Sequence, residues 1–234
     1  MIEAVLLDVG GVLVLPEPDV VLPAVRAAGA TDATFDDLAR GHYAGVAAMD
    51  RIALARGVSA DWPGYYRAVA GELPVPAGKV DAVVDALREA YTDLPWTGTI
   101  PGAVDALRRL ADTGVALGIV SNSNGTVEEQ LLRTRICQVG EGEGVPVVVV
   151  LDSFVVGIEK PHPGIFERAL DALCVAPAQA MHVGDTGWAD VAGARAAGVR
   201  PVHLDPHGFC PLPDDHEHVV DLDGVTALVA DAAT

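Results

Sequence analysis

The sequence predicts an α/β fold, a doubly wound parallel sheet with a helical domain inserted after the first strand. Three observations carry that expectation. From residue 98 onward, apolar runs of strand length alternate with amphipathic segments of helix length, the pattern of a parallel sheet covered by helices. An isolated apolar run, Ile2–Leu7, stops at Asp8-Val9-Gly10-Gly11, a carboxylate and a glycine pair at a strand end. Between these regions, residues 15–97 carry helical periodicity and no clear strand.

Taken in order, Ile2–Asp8 is the first expected strand. The insertion holds helical stretches at Asp19–Ala28, Phe35–Arg56, Trp62–Glu72 and Ala77–Tyr91, punctuated by Pro16, Pro18, Pro74, Pro76 and Pro95, the last of which lies outside the residues that the structure describes. Pro101–Asp112 reads as a helix with proline near its start and Gly114 after its end. Val115–Val120 is a strand running into Ser121-Asn122-Ser123-Asn124-Gly125, and Thr126–Ile136 a helix. Val145–Leu151 is a buried strand, and Gly140–Gly144 a loop whose glutamates would repel phosphate. After Lys160-Pro161 come the helix Pro163–Leu173, the strand Ala180–Val183, the helix Asp190–Ala197 closed by Gly198, the strand Arg200–Leu204 and the helix Val225–Ala232. The domains expected are therefore 1–14 with 98–234 as the α/β core, and 15–97 as the helical insertion.

Half of the 234 residues are hydrophobic, enough for a full core. The net charge of −18 disfavours nucleic acid and anionic membranes as partners, since both recruit clustered cations. A polyanionic substrate would have to be held locally, by a metal ion, a lone cation or helix N-termini. Cys137, Cys174 and Cys210 are an odd set without paired spacing, which fits reduced thiols and a cytoplasmic location. No signal peptide is evident, and no apolar run reaches the ~20 residues of a membrane span. Nothing in the sequence fixes an oligomeric state.

In open α/β sheets ligands bind at the carboxyl ends of the strands. Asp8, Ser121, Lys160, and Asp185 with Asp190 all fall in loops at that edge. Each alone has an ordinary reading, as turn, helix cap or solvated charge. Lys160 gains weight from scarcity, because the chain has two lysines, Lys79 and Lys160, against thirteen arginines. A lysine kept in such a composition suggests a need for a compact ammonium.

Together the segments LLDVGGVLV (6–14), VSNSN (120–124), EKPHPGIF (159–166) and VGDTGWADVAGARAAGV (183–199) resemble, in order, the four motifs of the haloacid dehalogenase-like (HAD) hydrolase superfamily. The resemblance spans a Rossmann-like core, and the insertion falls where one subclass places its helical cap. It implies a phosphatase, with Asp8 as the nucleophile that forms an aspartyl-phosphate. Asp8, Asp185 and the Gly10 carbonyl would hold Mg²⁺, with Asp190 supporting the metal or orienting Lys160. Ser121, Asn122, Lys160 and Gly11 would bind the phosphoryl group of a small phosphorylated metabolite.

One position departs from the pattern. Phosphatases of this family usually carry a second Asp two residues after the nucleophile, where this chain has Gly10. Glycine can neither protonate a leaving group nor activate water, a loss worth about 10²–10⁴ in rate. The substrate could have a good leaving group, or the acid could come from the cap, where His42, Tyr43, Asp50 and Tyr65 are candidates. Three other readings stand beside the phosphatase: a 2-haloacid dehalogenase, although Asp185 and Asp190 are retained; a phosphonatase, although the cap lysine is Lys79 alone; and a binding module that has lost turnover.

Further residues have two readings each. His203, His207, Cys210, His216 and His218 crowd the segment after the last expected strand, as a solvated loop or a structural zinc site. His182 reads as a satisfied core histidine, and His162 as a helix start. Trp62, Tyr65, Tyr66 and Tyr91 read mainly as insertion core, Arg51 and Arg56 as a solvated face, and Trp188 as a shaper of the site's rim.

Overall fold

The computed structural model describes residues 1–57, 61–92, 96–213 and 215–232. Six parallel strands form the central sheet: β1 (Ala4–Leu7), β2 (Ala116–Ser121), β3 (Val149–Asp152), β4 (Ala180–Gly184), β5 (Arg200–Leu204) and β6 (Glu217–Val219), in the order β6-β5-β4-β1-β2-β3. The order reverses beside β1, the topological switch point where such sheets bind ligands. Leu7 is level with Ile119 of β2 and Val183 of β4, so Asp8, Ser121 and Asp185 leave the sheet at one edge.

β1 is buried at every position because helices cover both faces of a parallel sheet. Ala4 and Leu6 pack with Val120 and with Ile165, Phe166, Ala169 and Leu170 of the helix Pro163–Leu173. Val5 and Leu7 point to the other face and are equally buried. There the helices Ala103–Asp112 and Leu222–Asp231 pack together, joined at the surface by Arg109 and Asp223.

The chain divides into two compact units: Met1–Leu13, Thr99–Pro206 and Leu212–Thr234, and Val14–Gly98 with His207–Pro211. The second unit contains helices at Pro18–Ala28, Phe35–Arg56, Trp62–Glu72 and Val80–Ala90. Val21, Val25, Leu38, Tyr65, Val69, Val83 and Leu87 are its core. Thr34 and Asp37 cap the long helix reciprocally, each side chain bonded to the other's backbone N–H. Arg51 and Arg56 are exposed on that helix. Among the described residues, no helix is long and apolar enough to cross a membrane.

Four expected elements differ. The run Val145–Leu151 is not one strand. Val145–Val147 pairs with Cys137–Val139 in a separate two-stranded parallel sheet, and Val149–Asp152 joins the main one. Pro146 offers no N–H to a second neighbour, and the Val148 N–H turns to the Leu117 carbonyl, where the chain changes sheets. The helix expected over Thr126–Ile136 covers only Val127–Arg133, because Arg135 takes a left-handed conformation at φ 56. The segment expected as a helix over Asp190–Ala197 is a wide turn over Gly187–Ala192, with the Val191 N–H bonded five residues back to Thr186, followed by a short helix. Finally, the histidine-rich segment does not remain loop throughout, since Glu217–Val219 adds the sixth strand.

Burial and exposure make opposite stability predictions at two positions. Phe166 is fully buried with its ring edge-on to His182 at 4.9 Å. Phe166→Ala should cost about 3–5 kcal/mol. Arg109 forms two hydrogen bonds with Asp223, but both side chains are about half exposed. Arg109→Ala should cost no more than about 1 kcal/mol. Urea denaturation of both variants measures the contrast, and equal losses would contradict it.

Candidate active site

The residues expected to serve catalysis, phosphate and metal, from Asp8 to Asp190, all belong to the first unit, and the sheet gathers them at one edge. Asp8 follows β1 directly. Its N–H bonds to the Val183 carbonyl of β4, and its Oδ1 accepts the Val9 N–H at 2.7 Å. The chain then turns sharply, with the Val12 and Leu13 N–H groups returning to the Val9 carbonyl. Gly10 is half-buried in that turn. Gly11 has φ +68, and a Cβ there would lie 2.0 Å from Asp185 Oδ2. The Asp185 carboxylate thus occupies the space that any larger residue at 11 would claim.

Lys160 is the centre of the site. Its ammonium is 3.0 Å from Asp8 Oδ2 and 2.7 Å from Asp190 Oδ1, and its side chain is 1% exposed. The Asn122 side chain fixes the Lys160 backbone from both sides. Its Nδ2 donates to the Lys160 carbonyl at 2.9 Å, and its Oδ1 accepts the Lys160 N–H at 2.8 Å. Ser121, at the end of β2, is buried beside Asn122. The loop that follows is pinned by Asp152, which accepts the Gly125 and Val127 N–H groups, and by Ser153, whose Oγ accepts the Ser123 N–H.

Asp190 is held as firmly. Its Oδ1 also accepts from His182 Nε2 at 2.8 Å, and its Oδ2 accepts both the N–H and the hydroxyl of Thr186. A Cβ at Gly184 would lie 2.0 Å from Asp190 Cγ, so the strand end must be glycine for Asp190 to approach. With four donors on its two oxygens, Asp190 orients Lys160 rather than presenting a vacant face to a metal. His182 is buried in the sheet, and His162 caps the helix that follows Lys160 by accepting the Gly164 N–H at 3.0 Å, both as expected of structural histidines. Trp188 lies half-buried in the wide turn between Asp185 and Asp190.

The electrostatics follow from this geometry. Burial raises Asp8 to about 7 against the pull of Lys160, with Asp190 and Asp185 adding to the rise. Burial alone would lower Lys160, but Asp190 and Asp8 outweigh it and hold the ammonium above its ordinary value. Burial works to raise Asp190, and Lys160 and His182 override it, so that carboxylate stays ionised. Burial lowers His182 despite Asp190, which leaves a neutral ring donating from Nε2.

Three carboxylates and one ammonium leave the cluster short of positive charge. Asp8, Asp185 and Asp190 each offer an oxygen, all within 4.8 Å of one another. With Asp190 already engaged, Asp8 and Asp185 are the pair suited to a hard divalent cation completed by water and phosphate oxygens, the preference of Mg²⁺.

The sequence did not single out the Asn122 side chain, Asp152, Ser153, Thr186 or Gly184 for these roles. Small polar residues at strand ends were the signal, but the partners of Asn122, Asp152 and Ser153 lie elsewhere in the chain. The candidate cap acids are in the second unit. His42, Asp50 and Tyr65 are buried there, and His42 Nδ1 is 2.9 Å from the Tyr65 hydroxyl. The rings of Trp62, Tyr65, Tyr66 and Tyr91 form a cluster of edge-on and stacked pairs, the core role expected of them.

The chain is similar to several known proteins. The glyceraldehyde 3-phosphate phosphatase of Pyrococcus abyssi is 35% identical over 112 residues, 47% of this chain and 44% of the relative. The phosphoserine phosphatase of Thermus thermophilus is 39% identical over 122 residues, 52% of this chain and 45% of the relative. The chain thus spans about half the length of the curated relatives it matches. A solved HAD phosphatase from Thermococcus onnurineus aligns with a TM-score of 0.57 at 22% identity, covering 97% of this chain and 98% of that one. Solved 2-haloacid dehalogenases align similarly, so this likeness speaks for the fold alone. The model of the haloacid dehalogenase-like hydrolases matches residues 2–198, and the chain belongs to that family.

Proposed function

We propose that the protein hydrolyses small phosphomonoesters through an aspartyl-phosphate at Asp8, with Mg²⁺ as cofactor. The observation that carries the reading is the buried Lys160 ammonium between Asp8 and Asp190, with Asp185 beside them. The sequence similarity to phosphatases of two small phosphorylated substrates supports it. A nucleophilic carboxylate and a phosphate dianion repel one another, and Lys160 lies where it can neutralise both. Asp8, Asp185 and the Gly10 carbonyl would hold the Mg²⁺, which supplies further charge neutralisation at the phosphoryl group.

In the first step an Asp8 carboxylate oxygen bonds to phosphorus and the ester P–O bond breaks, so the alcohol leaves with its electron pair and takes up a proton. Ser121 and the Asn122 N–H, at the strand end, bind the phosphoryl oxygens. Asn122 keeps Lys160 in register through its backbone, and Asp190 keeps the ammonium aimed at Asp8. Water then attacks phosphorus and the Asp8–phosphorus bond breaks, releasing phosphate and restoring the carboxylate. Gly10 cannot donate the leaving-group proton, so substrates whose alcohol leaves without help suit this site best. The carboxylate pair Asp8 and Asp185 weighs against metal-free attack on a haloalkyl carbon, a reaction that gains nothing from a second carboxylate.

Phosphate release from an aryl phosphate and a panel of sugar phosphates, with Mg²⁺ and with chelator, tests the proposal. Release should require Mg²⁺ and fall by at least about 10³ in Asp8→Asn. Activity that survives this substitution would exclude the covalent route, and chelator-resistant turnover of a haloacid would replace the phosphatase by a dehalogenase.

Gly10→Asp should raise turnover of alkyl phosphates about tenfold or more and that of aryl phosphates far less, because only the poorer leaving group needs the proton. An unchanged ratio of the two rates would show that another acid serves the site.

The Asp8 shift sets a stability signature in the metal-free protein. Folding favours the protonated carboxyl, so its contribution is complete below the ordinary value of 3.8 and is lost as pH rises toward about 7. Metal-free Asp8→Asn, which stays neutral, should therefore melt higher than wild type at pH 8, by about 2–4 °C for each kcal/mol relieved. The gap should close toward pH 4, and Mg²⁺ should stabilise wild type more at pH 8 than at pH 5. Thermal melts across that range measure both trends, and pH-independent differences would contradict them.

A further inference from the structure

On the first unit, beside the loop that presents Asp185, three histidines from β5 and the approach to β6 converge. His203 is on β5, His218 on β6, and His216 immediately precedes β6. The register places His218 directly beside His203. Ring centroids are separated by 4.4 Å for His216 and His218, 5.3 Å for His203 and His218, and 5.5 Å for His203 and His216. Each ring offers a nitrogen, and the three nitrogens lie within 4.8 Å of one another.

The tautomers are fixed by groups outside the cluster. His203 Nε2 is 2.9 Å from the Asp185 backbone carbonyl, which only accepts, so Nε2 carries the hydrogen and Nδ1 of the neutral ring carries a lone pair. His216 Nδ1 is 3.3 Å from the Asp215 carboxylate, which the Arg195 guanidinium holds in turn, so the lone pair of that ring is on Nε2. These two nitrogens, His203 Nδ1 and His216 Nε2, face one another at 3.3 Å. Two lone pairs at that distance repel unless a cation lies between them. The spacing matches the edge of a tetrahedron drawn with metal–nitrogen bonds of ~2.0–2.1 Å. At His218 the same arrangement recurs more loosely, with Nδ1 3.8 Å from the Asp205 carboxylate. An imidazole whose remote nitrogen donates to a carbonyl or carboxylate is the usual form of a metal-ligating histidine.

We propose that His203, His216 and His218 form a second metal site, for a zinc-type divalent cation, distinct from the carboxylate site. Imidazole donors select borderline metals of this kind over Mg²⁺. The fourth position is completed by solvent or another donor of the chain. Because His203 bonds to the Asp185 backbone, the ion would brace the loop that presents Asp185 as well as the outer edge of the sheet.

Zinc titration of the metal-free full-length protein against a chromophoric chelator, with excess Mg²⁺ present, tests this. One equivalent of Zn²⁺ should bind despite the Mg²⁺, and Co²⁺ in its place should give the intense visible band of a four-coordinate site. The double substitution His216→Ala with His218→Ala should weaken zinc binding at least tenfold while its metal-free melting temperature stays near that of metal-free wild type. Should the double variant fail to fold, ¹⁵N-histidine spectra of wild type carry the test. Zinc should shift the Nδ1 resonance of His203 and the Nε2 resonance of His216, and leave those of His182 in place. Absence of a stoichiometric Zn²⁺ in the presence of Mg²⁺, unchanged affinity in a folded double variant, or no response at those two nitrogens would each overturn the proposal.

Discussion

The site depends on one buried cation. Lys160 lies between Asp8 and Asp190 with almost no exposure, and an ammonium in that position is tenable because carboxylates face it, Asp190 foremost. Each neighbour serves that requirement. Asn122 fixes the backbone of Lys160, Thr186 and His182 fix Asp190, and the bare Cα of Gly184 lets Asp190 come within reach. An arginine would not substitute, because a planar fork cannot fit between two carboxylates at these distances as a compact ammonium does. In a chain so rich in arginine, the lysine is a requirement of geometry.

The same constraint explains why these polar residues sit at the strand ends of a largely apolar sheet centre. β1, β2 and β4 are buried along their length, and Asp8, Ser121 and Asp185 appear only where the chain leaves the sheet. There the switch in strand order opens a crevice between β1 and its neighbours. Acids gathered in such a place repel one another, and one ammonium cannot neutralise three of them. Burial is the main reason that Asp8 is raised, and Asp190 and Asp185 add to it; a divalent cation held by Asp8 and Asp185 would work against that rise.

Much of this was legible in the sequence. Apolar runs ending at Asp8, Ser121 and Gly184-Asp185 located the sheet edge, because burial on both faces writes parallel strands as continuous apolar segments. The rarity of lysine singled out Lys160. What escaped was pairing between distant residues. Val145–Leu151 reads as one strand because periodicity records burial and not the neighbour, and it divides between two sheets at Pro146 and Val148. β6 escaped because Glu217-His218-Val219 is short and polar, and it is a strand only because β5 offers an edge to it. The role of Asn122 escaped for the same reason, since a side chain that clamps a residue 38 positions away leaves no local trace.

Asp185 is where these arguments meet. Its side chain fills the space that a Cβ at Gly11 would need, close to Asp8, while its backbone carbonyl accepts a hydrogen bond from His203. The glycine pair after Asp8 therefore has two separate consequences. Gly11 admits Asp185 to the cluster, a steric requirement that no other residue could meet at φ +68. Gly10 removes an acid, which is a chemical choice and leaves the charge cluster intact. A chain that had drifted away from catalysis would be expected to relax the steric requirement as readily as the chemical one. Here the costly geometry is present at Gly11, Gly184 and Lys160 and only position 10 lacks an acid, which is why the proposed reading looks to the leaving group, and not to a lost site, for the consequence of Gly10.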